Sequence, residues 1–269
     1  LVWERFILQS IIGEKIRQLR KRMEQRNIKT LKAMASMQKR PQPFLATVTN
    51  TRYTYIVGQV RYTPSHPNQP LNGFDPVYAA KYLAEVARVD AIGIYTDNNV
   101  AYDPSDDIML IRTALARYDL PLINQNYILD EYHIVEARAV GASAATLTAG
   151  TLKNRELRLL TSVVHRNRMN AIVNVFDEYQ LRNALTWAPQ VIGLSGVDPL
   201  GEDVDLGLVE YLRRLIPDTQ RVMISRPLRT LDEVIDAARL GMDALTIDAE
   251  LLKDPHTVKS LKAIIGHLT

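Results

Sequence analysis

From about residue 55 onward, short apolar runs rich in β-branched residues alternate with longer segments whose apolar positions recur at helical spacing. The spacing predicts strands over 55–60, 91–95, 122–124, 144–147, 171–175, 191–194, 222–225 and 244–247. It predicts helices over 76–87, 108–116, 131–140, 152–166, 178–185, 206–215, 231–240 and 258–268. Regular βα alternation implies a parallel sheet, and eight such units imply closure into a barrel. An open doubly wound sheet is the structural alternative, but no Gly-rich dinucleotide fingerprint follows the first strand. Ahead of the first strand, Phe6, Ile7, Ile11, Ile12, Ile16 and Leu19 recur on one side of a helix over 4–22. A second short helix over 28–38 is ended by Pro41 and Pro43. The expected architecture is one α/β domain over 1–269, a (β/α)8 TIM barrel at 46–269 with an N-terminal helical extension at 1–45.

The 269 residues, 46% of them hydrophobic, are ample for one buried core and match the usual size of such a barrel. No uncharged apolar run reaches the ~18 residues of a membrane span. The first residues, Leu1-Val2-Trp3-Glu4-Arg5-Phe6-Ile7-Leu8, are not a signal peptide, because charge interrupts the apolar stretch. A chain opening on Leu1 rather than Met fits a processed chain as well as an incompletely represented one. A cytoplasmic or organellar protein is expected, soluble or peripheral to a complex. The absence of cysteine excludes structural disulfides, thiolate catalysis and zinc–thiolate sites, and leaves the compartment open.

Net charge is +3 and the isoelectric point is near 9.0, mild for the whole molecule but unevenly placed. Lys15, Arg17, Arg20, Lys21, Arg22, Arg26, Lys29, Lys32, Lys39 and Arg40 crowd one region, offset there by Glu14 and Glu24. The ordinary reading is a solvated helical face. The sharper one is a docking surface for an acidic protein partner, with Arg17, Arg20, Lys21 and Arg22 as contacts. Peripheral association with an anionic membrane is a further reading. Nucleic acid is disfavoured, because no aromatic residues interleave with the cations.

Leu129-Asp130-Glu131-Tyr132-His133-Ile134-Val135-Glu136-Ala137-Arg138 opens a helix after the apolar strand Leu120-Pro121-Leu122-Ile123. This block resembles the third βα unit of indole-3-glycerol phosphate synthase, a TIM-barrel enzyme family of tryptophan biosynthesis. Thr63-Pro64-Ser65 resembles the family's Ser-Pro-Ser after strand one, and Phe74-Asp75-Pro76 its entry to the first barrel helix. Tyr95-Thr96-Asp97 resembles the end of strand two, and Asp203-Val204-Asp205-Leu206 the Val-Asp-Leu before helix six. The resemblance covers nearly the whole chain. It implies a ring closure with loss of carbon dioxide and water, using a lysine acid, a glutamate base and donors for a substrate phosphate, with no cofactor and no metal.

Against that pattern the candidate site residues differ. At the family's Glu-x-Lys in strand one the chain offers Gly58 and Val60, or, shifted by one residue, Gln59 and Arg61. Gln125, followed by Asn126, replaces the lysine acid, and Asn174 aligns with the glutamate base. An amide has the shape of a carboxylate without its basicity. Ser195 and Val197 align with the family's Asn-x-Arg. At the former phosphate site, Ser225-Arg226-Pro227-Leu228 replaces Ser-Glu-Ser-Gly, and Pro227 has no N–H to offer. Asp248 replaces a glycine, and a carboxylate ~4 Å from a phosphate costs a few kcal/mol at modest dielectric. Ser225, Arg226 and Asp248 are the expected ligand-facing residues of a remodelled site, with an Arg226–Asp248 ion pair closing it. These differences predict a non-catalytic relative acting as a structural or binding subunit of a larger assembly. The other reading is an enzyme: a synthase-type carboxy-lyase, or a repurposed catalyst using the remodelled mouth.

The remaining titratable clusters read as ordinary structure. His66 falls in a loop, His133 on an exposed helix face, and His165, His256 and His267 match no metal-ligand spacing. Asp97, Asp103, Asp106 and Asp107 lack the glycine of a calcium loop and read as solvated. Asp198, Glu202 and Asp203 form an acidic stretch, and Asp205 is placed to cap the helix that follows.

Overall fold

The computed structural model describes residues 2–44, 54–61, 75–96, 104–187, 189–196 and 204–268. The expected strands appear as β1 (Tyr55–Arg61), β2 (Ala91–Tyr95), β3 (Leu122–Asn124), β4 (Ala144–Thr148), β5 (Asn170–Val175), β6 (Val191–Leu194), β7 (Arg221–Leu228) and β8 (Ala244–Asp248). They pair in sequence order, all parallel, and β8 pairs with β1 to close the barrel. The helices are α1 (Val2–Gln25), α2 (Ile28–Met37), α3 (Pro76–Tyr82), α4 (Pro104–Ala114), α5 (Glu131–Ala139), α6 (Asn154–Arg166), α7 (Glu178–Leu185), α8 (Leu206–Arg214), α9 (Leu231–Arg239) and α10 (Pro255–Leu268).

Side chains alternate across each strand, so one set faces the barrel axis and the next faces the helices. Val57, Ala91, Ile123, Ala144, Ile172, Val191, Met223 and Ala244, one from each strand, pack together inside, with Phe44 against them. The Phe44 N–H donates to Asn170 Oδ1 at 2.7 Å, which fixes this plug under the barrel. The other parity, including Ile56, Val60, Ile92, Ile94, Val173 and Ile224, packs against the helices in the larger core. Two residues beyond the inner floor, the inward positions turn polar or small: Gln59, Gly93, Gln125, Thr146, Asn174, Gly193, Ser225 and Thr246.

Caps fix where the helices begin after the strands. Asp130 accepts from Tyr132 N–H (2.8 Å), Asp177 from Gln180 N–H (2.7 Å), and Asp205 from Leu208 N–H (3.0 Å), the last as expected. Each such cap contributes about 1 kcal/mol.

Two elements differ from expectation. The helix expected over 76–87 gives way after Tyr82 to a π-helical turn, Leu83–Ala87, which ends at Arg88 in the left-handed region. Strand β7 runs past Ser225 to Leu228, with a register shift against β8 between Ile224 and Leu228. Pro227 cannot donate to a ladder, so the chain bulges there instead of pairing evenly.

The N-terminal helices dock on α5. Leu19, Leu31 and Ala35 pack against Tyr132, Val135 and Ala139. The Tyr132 hydroxyl bonds the Arg22 and Arg26 carbonyls (3.1 and 3.0 Å). Arg22 forms a largely buried ion pair with Glu136 at 2.9 Å, and Lys32 pairs with Glu131 at 2.7 Å. Lys15 is buried as well, its Nζ donating to Gln18. The basic region is therefore divided. Arg22, expected on a partner-facing surface, is turned inward because Glu136 needs a counter-charge; Arg17, Arg20 and Lys21 are exposed. Removing one partner of a buried pair leaves a charge without compensation. Arg22→Met is expected to lower unfolding stability by about 3 kcal/mol, read as a lower denaturant midpoint at unchanged slope.

Candidate functional site at the barrel mouth

At the C-terminal strand ends the inward positions converge on a recess of about 70 Å³. That volume suits a phosphate or carboxylate group at the deep end of a site, since whole small-molecule sites run to about 300–1,000 Å³. Gln59, Gln125 and Asn174 form its lower wall, and Arg61, Tyr95, Tyr127, Phe176 and Arg226 its upper rim. Strand parity settles the alternatives in β1. Gln59 and Arg61 line the recess, whereas Gly58 and Val60 face the helix layer, where a Cβ on Gly58 would meet Leu83 and Val89.

The amides are positioned by glycines on neighbouring strands. A Cβ on Gly93 would collide with Gln125 Oε1, and one on Gly193 would collide with Asn174 Oδ1. Gln59 Nε2 donates to Gln125 Oε1 at 2.6 Å, so these two are oriented as a pair across β1 and β3. Asn126 has a different task. Its Oδ1 accepts from Thr96 N–H (2.9 Å) and its Nδ2 donates to Asn124 Oδ1 (2.9 Å), tying β2 to β3. Ser195 is buried at the rim, and Ser225 Oγ donates to the Leu194 carbonyl at 3.3 Å. The oxygens Gln59 Oε1, Asn174 Oδ1, Thr146 Oγ1 and Thr246 Oγ1 are buried without a hydrogen-bond partner among the described residues. Buried polar atoms are nearly always satisfied, so this set under the recess calls for water or ligand donors.

The rim is cationic and aromatic. The Arg61 guanidinium lies 5.8 Å from the Tyr95 ring centroid, and the Tyr95 and Tyr127 rings are 6.4 Å apart and tilted by 53°. Burial pushes the Arg226 guanidinium down from its usual pKa; Tyr95 and Tyr127 oppose this, and Arg61 and Arg229 add to it. A guanidinium stays protonated at neutral pH all the same, so the rim presents two close cations.

Several expectations need correction. Among the described residues no ion pair joins Arg226 to Asp248. Asp248 Oδ1 instead accepts from the Glu250 N–H at 2.9 Å, stabilising the turn after β8, and its side chain does not line the recess. That pair therefore does not seal the former phosphate end. His133 is buried, its Nδ1 accepting from Leu129 N–H at 3.2 Å, because it shares a small cavity with Ile108 of α4 and Asn124 of β3 rather than facing solvent. Asp107, expected in a solvated loop, is fully buried in the first turn of α4. His165 bonds Gln190, and His256 is exposed. His66, Asp97, Asp103, Val197, Asp198, Glu202 and Asp203 lie outside the described residues, as do the 63–65 motif and Phe74. Among the described residues no three His, Cys, Asp or Glu side chains group to hold a metal ion. Tyr127 and Phe176 were not anticipated; each lies two residues beyond an inward amide, and strand parity alone points to them.

A polar, cationic recess at the C-terminal ends of eight parallel strands is where (β/α)8 enzymes carry out their chemistry. The sequence profile of indole-3-glycerol phosphate synthase matches residues 8–264, and the chain belongs to that family. The Acetivibrio thermocellus indole-3-glycerol phosphate synthase is 27% identical, covering 92% of this chain and 94% of the relative. Its Acinetobacter baumannii counterpart is 23% identical, covering 97% and 96%. Among solved structures, 3-hexulose-6-phosphate synthase from Salmonella typhimurium superposes with a TM-score of 0.63 at 12% identity, covering 80% of this chain and all 100% of that one. That likeness shows the fold alone.

These findings overturn the expectation of a non-catalytic structural subunit. Relatives aligned over nearly their whole length carry the name of the catalytic enzyme. One structural part of the expectation also fails, since the Arg226–Asp248 ion pair meant to close the mouth does not form. Gly193→Ala is expected to drive the Asn174 amide from its place, at a cost of about 1–3 kcal/mol. A thermal melt checks this, and an unchanged midpoint would mean that the amide is not held there.

Proposed function

We propose that the chain is an enzyme acting at the barrel mouth on a phosphorylated, carboxylated aromatic amine, as a carboxy-lyase of the indole-3-glycerol phosphate synthase type. The observation that carries this is the convergence of Arg61 and Arg226 with Tyr95 and Tyr127 at one open recess. Two guanidiniums suit two anionic groups, a phosphate and a ring carboxylate, through forked charge-assisted hydrogen bonds. The tyrosine rings and Phe176 offer faces to the aromatic body.

In the ring closure, the ring carbon bearing the carboxylate bonds to the ketone carbon, and the ketone oxygen takes up a proton. Carbon dioxide leaves and returns its bonding pair to the ring. Water then leaves to complete the indole. On this reading the amide N–H groups of Gln125 and Asn174 and the Ser195 hydroxyl stabilise charge on the former ketone oxygen. The hydroxyls of Tyr95 and Tyr127 are the proton carriers at the rim.

One observation favours a second reading, a different reaction on the same class of ligand. Gln125 and Asn174 stand where the resemblance places an acid and a base, and amides neither give nor take protons at neutral pH.

The test is turnover of the carboxylated anilino sugar phosphate, followed by indole fluorescence, with calorimetric binding on the same sample. Indole formation is expected, with KM raised about tenfold or more in Arg226→Gln. Binding without indole selects the second reading. No binding at millimolar ligand contradicts both.

A further inference from the structure

The opposite face of the barrel carries a second, independent concentration of cations. Helices α5 and α6 end there, and the segment after α2 crosses beneath them. Two adjoining cavities, of about 440 and 650 Å³, share Arg40 and Arg168 in their walls. The first is also lined by Arg138 and Arg166, the second by Pro41, Pro43 and Met169.

Cations near helix C-termini usually complement the helix dipole, and that explanation is enough for Arg166. It applies as well to Arg138, in the last turn of α5, and to Arg168, just past the end of α6, but it does not by itself bring them into one groove. Arg138 is only 6% exposed and spends one nitrogen, Nη2, on the Gln38 and Lys39 carbonyls (3.2 and 2.6 Å). Among the described residues no other hydrogen bond or ion pair holds it, and it lines the cavity. Burial lowers its pKa, and repulsion from Arg168 lowers it further; the carboxylate in this cavity wall, Glu131, is paired with Lys32 at 2.7 Å. Arg168 is exposed with φ of 60°, a conformation suited to glycine, and among the described residues its side chain makes no hydrogen bond or ion pair. The left-handed residue closes α6 as a helix cap, Arg168 N–H donating to the His165 carbonyl (2.8 Å) and Met169 N–H to the Val164 carbonyl (3.2 Å), so what needs explaining is the gathering of arginine side chains in one groove.

Three polar side chains of the second cavity, Asn170, Gln190 and His165, are already engaged by the fold. Asn170 Oδ1 accepts from Phe44, and Gln190 Oε1 accepts from Ala171 and bonds His165 (2.7, 2.8 and 2.6 Å). That lobe is left with proline and methionine surface for a less polar group. We infer that this groove binds a small phosphate ester or diphosphate, its phosphate between Arg138 and Arg168 and its body over Pro41 and Pro43. Such a ligand bridges the segment after α2 to the ends of α5 and α6, and so fastens the N-terminal helices to the barrel.

The test is calorimetric titration of the full chain with inorganic pyrophosphate, comparing wild type, Arg168→Gly and Arg226→Gln. Saturable binding is expected in wild type and in Arg226→Gln, the mouth variant. Arg168→Gly is expected to bind about tenfold or more weakly while melting higher than wild type without ligand, because glycine relieves the left-handed strain. The higher melting point separates loss of the site from loss of the fold. No saturable binding, equal affinity in Arg168→Gly, or loss in Arg226→Gln instead would overturn the inference.

Discussion

The inward–outward alternation of the parallel strands is the constraint on which the rest of this molecule depends. One parity builds an apolar floor capped by Phe44; two residues further along each strand, the same parity builds the mouth. A slip of one residue in β1 would replace Gln59 and Arg61 with Gly58 and Val60 and bury a guanidinium among the helices. Register is therefore enforced by the core, and the chemistry at the mouth inherits its geometry from it. Gly93 and Gly193 belong to the same arrangement, since they leave the room that the Gln125 and Asn174 amides occupy.

The N-terminal helices are held by a smaller contact with sharper electrostatics. Their apolar seam on α5 is short, and the Arg22–Glu136 pair and the Tyr132 hydroxyl supply direction to it. The cations of this region thus divide by task. Some dock the helices, some gather on the face opposite the mouth, and Arg17, Arg20 and Lys21 remain in solvent.

Most of the barrel was legible in the sequence because periodicity reports burial, and burial here follows the elements closely. The run 122–124 and the helix after Asp130 were read to within a residue for that reason. The π turn after Tyr82 was not legible, since its apolar spacing is compatible with an unbroken helix. The bulge at Ser225–Pro227 was half-legible. Pro227 signals a break in the ladder, but only the register against β8 shows that the strand resumes at Leu228. At the site, the identities of Gln125, Asn174 and Arg226 could be read by resemblance, whereas their contacts could not. The Arg226–Asp248 pair was inferred from complementary charge, and backbone direction decided otherwise by turning Asp248 onto the Glu250 amide. His133 and Asp107 were misplaced because local polarity cannot reveal which helix face a neighbouring element will cover.

The most direct measurement is a crystal structure of the chain soaked with the carboxylated anilino sugar phosphate. The account predicts ligand density at the mouth, with its anionic groups within hydrogen-bond distance of Arg61 and Arg226 and its ring against Tyr95 or Tyr127. An empty mouth at saturating ligand, or a ligand bound with neither arginine in contact, would contradict it.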